Sequence, residues 1–192
     1  MKTILFCFLF IANLLYAQND INWDGKYQIQ LSDFQSTSSQ IGDVKTYSIF
    51  TSCGPELLFY MSNAELMFTK NFNSKVSCTF KRSSSAIVSP DNETALALVA
   101  FAQYQFDLSE LYARKLRKRI FEEKKAFSSM GFFKPIYDSM LKEFSEESTK
   151  AGKETDLGRK KDILKIIHDD VLQQIEGLSE FCKECKPKKR KK

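Results

Sequence analysis

Two hydrophobic rhythms divide the chain. From residue 23 to residue 80 the apolar residues come in short bursts, and after Pro90 they recur at helical spacing. The stretch "KYQIQL" (26–31) alternates, with Tyr27, Ile29 and Leu31 on one face, and predicts a strand. "KTYSIFTS" (45–52) and "KVSCTF" (75–80) are rich in β-branched and aromatic residues and predict two more. "ELLFYM" and "AELMFTK" flank Ser62-Asn63 and read as a hairpin, although their Leu and Met content also suits a helical turn. "QSTSSQIGD" (35–43) and "KRSSS" (81–85) read as loops.

The first long helix begins with Ser89 as N-cap and Pro90 at the first helical position, followed by Asp91 and Glu93. Ala95, Leu98, Val99, Ala102, Phe106, Leu116 and Ile120 carry it to about Ala126, before Ser128, Ser129 and Gly131. A second helix is expected over Pro135 to Lys150. A third runs from about Gly158 to Phe181, with Ile163, Ile166, Ile167, Val171 and Ile175 on one face. Antiparallel strands first and long helices afterwards place the chain in the α+β class.

The ends carry a different message. "MKTILFCFLFIANLLYA" has Lys2, an apolar run from Ile4 to Leu15, and Ala17, which is the layout of a secretory signal peptide over residues 1–17. The alternative, an uncleaved anchor, fits less well, because the run is shorter than the roughly 18–20 residues that span a bilayer. Phe6 before Cys7 is not the small residue of a lipoprotein signal. The expectation is an exported protein, periplasmic or secreted, that is not an integral membrane protein and folds as one domain over 18–182.

The net charge of +5 is concentrated in the segment 183–192, "KECKPKKRKK", which holds seven basic residues and one Glu. It reads as a solvated, disordered arm. The sharper alternative is a weak electrostatic contact with anionic lipid, polysaccharide or nucleic acid. No specific nucleic-acid partner is implied.

Beyond the leader lie Cys53, Cys78, Cys182 and Cys185. An even number in an exported chain permits two disulfides in three pairings, and the pairs expected are Cys182–Cys185 and Cys53–Cys78. "CKEC" (182–185) also has the spacing of a redox pair or half a zinc site. It follows a predicted helix rather than opening one, where the helix dipole would lower a thiol pKa, and no second Cys-x-x-C accompanies it.

One segment resembles a known family. "FAQYQFDLSELYAR" (101–114) is similar to a helix from bacterial predicted secreted zinc-dependent proteases, which typically reads "HEQxHFDIxELYARKLR". Gln103, Phe106, Asp107, Glu110, Leu111, Tyr112, Ala113, Arg114, Lys115, Leu116 and Arg117 fit that pattern. "WDGKYQIQLSDFQ" (23–35), "VSCTFKRSSSAIV" (76–88) and "GKETDLG" (152–158) resemble, more weakly, the family's opening, a strand with a serine turn, and a later "YDxxTxHG" motif. The resemblance implies a zincin-like α+β fold.

It does not imply the family's chemistry. A zincin helix aims histidines at i and i+4 at one metal, with a Glu beside the first to activate water. Those positions are Phe101, Gln105 and Ala102 here, and the later histidine position is Leu157. Asp107 lies about 200° around the helix from Gln105, and Glu110 about 180° from Phe101, so neither shares that face. Asp107 and Glu110 are expected to pair with Arg114 or Lys118 as structural groups. His168, the single histidine, sits beside Asp169 and Asp170 and reads as a surface or capping residue.

No residue is therefore assigned to catalysis, to a cofactor or to a metal. The leading expectation is a non-catalytic relative with a binding or structural role in the cell envelope and a protein or peptide partner. The alternatives are an exported hydrolase with a metal-independent site and an envelope-surface binding protein acting through its basic tail.

Overall fold

The computed structural model describes residues 20–58, 62–124 and 130–188. Residues 1–17, where a signal peptide is expected, and the last four basic residues lie outside that set. Six short strands come first: β1 (Asp20–Asn22), β2 (Gln40–Ile41), β3 (Ser48–Phe50), β4 (Cys53–Leu57), β5 (Val76–Lys81) and β6 (Ala86–Ser89). A short helix α1 (Asn63–Phe68) interrupts them, and three long helices follow: α2 (Asn92–Glu123), α3 (Phe133–Thr155) and α4 (Lys161–Gly177). The class is α+β.

The strands form two small sheets. One is antiparallel in the order β1-β5-β4, and the other runs β2-β6-β3 with β2 parallel to β6. In β5 the buried residues Val76, Cys78 and Phe80 alternate with half-buried ones, so one face packs inward. That face meets α2, whose Leu98, Leu108, Ala113 and Leu116 are fully buried. Helices α3 and α4 cover other sides of α2, which becomes the axis of the core. A helix enclosed this way must bury its polar residues too, and Gln103, Asp107, Glu110, Arg114 and Arg117 all lie inside.

Several elements differ from the sequence expectation. Residues 26–31 do not form a strand, because side chains capture their backbone donors. The amides of Lys26 and Tyr27 donate to Asp24, that of Ile29 to Gln103 Oε1, and that of Gln30 to Asp33. The expected hairpin is also replaced. After β4, Ser62 caps α1 by accepting the Glu65 N–H at 3.1 Å, so "AELMFTK" begins as a helix. Residues 59–61 of the first half lie outside the described set.

Helix α2 is capped by Asp91, which accepts the Thr94 N–H at 2.7 Å, rather than by Ser89, which ends β6. Its expected end near Ala126 lies outside the described residues. Helix α3 begins before Pro135, whose missing N–H falls among the first-turn donors without helical partners. It runs on to Thr155 and stops where Asp156, Leu157 and Gly158 all take positive φ. On α4 the buried stripe is Leu164, Val171 and Ile175, while Ile166 is 69% exposed.

Cys182 and Cys185 form the expected disulfide. Its loop is tied to the body: Asn71 donates to the Cys185 carbonyl, and Asn73 to the carbonyls of Cys182 and Cys185. The attachment thus reaches past the expected domain end at residue 182. The expected Cys53–Cys78 bond is absent, and both cysteines are free. Cys53 lies opposite Phe80 and Cys78 opposite Pro55, so the two cysteines are diagonal neighbours. Such positions are about 7–8 Å apart, beyond the roughly 4.4–6.8 Å Cα span of a disulfide. Cys78 Sγ instead donates to the Phe106 carbonyl at 3.7 Å.

Candidate functional site

Phe101, Gln105 and Leu157, three of the four positions singled out in the sequence, meet at the contact between α2 and α3. Phe101 and Gln105, one turn apart on α2, face Gly152 and Ser148, one turn apart on α3. A Cβ placed on Gly152 would lie 3.3 Å from the Phe101 ring and 3.2 Å from Leu157 Cδ2. The ring and the leucine side chain therefore already fill the space beside the glycine. Ala102 is completely buried.

Gln105 is the one residue of the four with a ligand-type atom, and its amide is engaged at both ends. Thr51 Oγ1 donates to Gln105 Oε1 at 2.7 Å, and Gln105 Nε2 donates to Ser148 Oγ at 2.8 Å. These residues do not fit a zinc site, which needs three strong ligands around one point. Among the described residues, no cluster of three or more His, Cys, Asp or Glu is placed to hold a metal ion.

A second side of α2 carries an arrangement that the sequence did not reveal. Asp107 is buried and receives three donors from three parts of the chain. Trp23 Nε1 donates to Oδ1 at 2.7 Å, Gln103 Nε2 donates to Oδ2 at 3.0 Å, and His168 Nε2 lies 2.8 Å from Oδ2. The Gln103 amide is oriented by the Ile29 N–H, which occupies its oxygen at 2.7 Å. An ionised carboxylate only accepts, so His168 Nε2 is placed to donate to Asp107.

Asp107 thus does not pair with Arg114 or Lys118, and His168 turns to it rather than capping. The pair spans 61 residues and two helices, so no local spacing announces it. One signal was present: His168 falls four residues after Leu164 and three before Val171, on the buried stripe of α4.

His168 and Gln103 line a cleft of about 480 Å³ between α2, α4 and the 28–29 segment. Its walls are aliphatic, from Ile29, Leu96, Ala97, Ala100 and Leu164, and Glu93, Lys161 and Lys165 also border it.

Glu110 pairs as expected with Arg114, at 2.9 Å, and also with Arg117, at 2.8 Å. The arginines reach on to the carbonyls of Ile175, Phe181 and Val76, so this buried cluster ties α2 to α4 and β5. No protein-family model, curated protein or solved structure matches this chain. Among the described residues, no helix is long and apolar enough to cross a membrane.

Proposed function

We propose that the chain is an exported, non-catalytic relative of the secreted zinc-protease-like family, with a zincin-like fold and a binding role in the cell envelope. The observation that supports this reading is the packing at the four positions where the resembled family carries its zinc ligands and catalytic Glu. Phe101 and Leu157 fill space with carbon where a metalloprotease places imidazoles, and Ala102 offers no base to take a proton from water. Gln105 spends both ends of its amide on Thr51 and Ser148.

A broad peptide and ester hydrolysis screen, run with and without chelator, tests the reading. No turnover under either condition is the expected result. Turnover abolished by chelator would contradict it.

The His168–Asp107 pair favours a second reading, a metal-independent hydrolase in which Asp107 orients the imidazole as general base. Its weak point is the nucleophile: among the described residues, no Ser, Thr or Cys side chain lines the cleft beside His168. Turnover that survives chelator and disappears in His168→Gln would establish that reading.

A further inference from the structure

We propose that the cleft between α2 and α4 binds a single aliphatic chain ending in a carboxylate. This inference rests on the binding reading of the protein and names the ligand. The cleft lies on a different side of α2 from Phe101 and Gln105, so it is not the family's metal face.

Three observations select that chemistry. First, the volume of about 480 Å³ falls in the range of small-molecule sites, roughly 300–1,000 Å³, and the walls are aliphatic. Leu96 at its edge is 62% exposed, which leaves apolar surface for a chain to cover. Second, the border carries the amines of Lys161 and Lys165 against one carboxylate, Glu93. The partners those lysines have now are exposed: Lys161 to Glu93 at 3.9 Å and Lys165 to Asp169 within α4. Exposed pairs of this kind contribute little, so either amine is free to turn to a ligand anion.

Third, the polar groups inside are few and mostly occupied. Both ends of the Gln103 amide are used, and His168 Nε2 is held by Asp107. A peptide would bring several amide N–H and C=O groups against mostly aliphatic walls, where Gln28 at the edge is the one uncharged polar side chain besides Gln103 and His168. An aliphatic chain brings none, and its single carboxylate stays at the basic border.

The test uses the full exported chain without its leader, decanoate as the probe, and decanol as the uncharged control. Calorimetric titration should give one decanoate per chain, bound about tenfold more tightly than decanol. Trp23, the one tryptophan, is joined through Asp107 to His168, so its emission should change along the same isotherm. Replacing both amines, K161Q with K165Q, should bring decanoate affinity down to that of decanol.

A100F should abolish binding of both, because Ala100 is exposed and lines the cleft, and its ring can fill the space without entering the core. Circular dichroism confirms that each variant is folded. Equal affinity for decanoate and decanol, binding unaffected by A100F, or no saturable binding below the micellar concentration would each overturn the proposal. None of those results touches the zinc-free reading, which stands or falls on metal content and chelator-sensitive turnover.

Discussion

Trp23 donates its indole N–H to the carboxylate of Asp107 at 2.7 Å, across 84 residues of chain. The contact fixes the segment after β1 against the middle of α2, and Arg114 stacks on the same indole, 5.3 Å from the ring centroid. Asp107 therefore joins three elements: the segment after β1, α2 itself, and α4 through His168.

Substituting Asp107 tests that junction. Asp107→Asn keeps the shape but turns one acceptor oxygen into a donor facing other donors. It should cost about 1–3 kcal/mol, the range for leaving buried polar groups unpaired. The check is the denaturant midpoint together with Trp23 emission, both of which should shift. An unchanged midpoint would mean that the three hydrogen bonds contribute nothing net.

Two glycines should respond with opposite sign. Gly158 has φ +92°, and a Cβ there would meet the Ala97 carbonyl oxygen at 2.3 Å. Gly158→Ala should destabilise by well over about 1 kcal/mol, from backbone strain and overlap together. Gly177 ends α4 with nothing within 4 Å of its missing Cβ, so Gly177→Ala should stabilise by up to about 0.5 kcal/mol. Thermal melts of both variants read the difference directly.

Thiol labelling distinguishes the two cysteine pairs. Alkylation of the denatured, unreduced protein should mark Cys53 and Cys78 and leave Cys182 and Cys185 unmodified. In the folded protein Cys78 should resist labelling, because burial pushes its thiol well above the usual range. A Cys53–Cys78 linked peptide in the digest would contradict the register of β4 and β5.

These cases show what the sequence carried and what it did not. Strand β5 was legible because its apolar period reports burial directly, and helix α2 because its apolar residues recur at helical spacing, although that spacing did not announce its buried polar residues. Residues 26–31 have the period of a strand, but the partners of their amides are side chains, one of them Gln103 on a distant helix. Helix α1 turned on a single cap, Ser62. The Glu110–Arg114 pair was readable from i,i+4 spacing, whereas the Asp107–His168 pair exists only once α4 is packed on α2.

Alkaline pH should weaken the fold through Tyr112. Burial first, and then the Glu147 carboxylate that accepts its hydroxyl at 2.6 Å, hold this phenol far above its ordinary value of 10.0. The folded state therefore keeps its proton while the unfolded chain ionises. The stabilisation is complete below pH 10 and is lost progressively as pH rises above it. Denaturant midpoints measured from pH 8 to 11.5 should fall, and Tyr112→Phe should flatten the fall. An equally steep decline in that variant would assign the loss to other groups.

The central claim is that Phe101, Ala102, Gln105 and Leu157 replace a metal site with packing. Elemental analysis of the purified protein tests it most directly. The account predicts zinc far below one atom per chain and no chelator-sensitive peptidase activity. About one zinc per chain, removed by chelator together with activity, would contradict it.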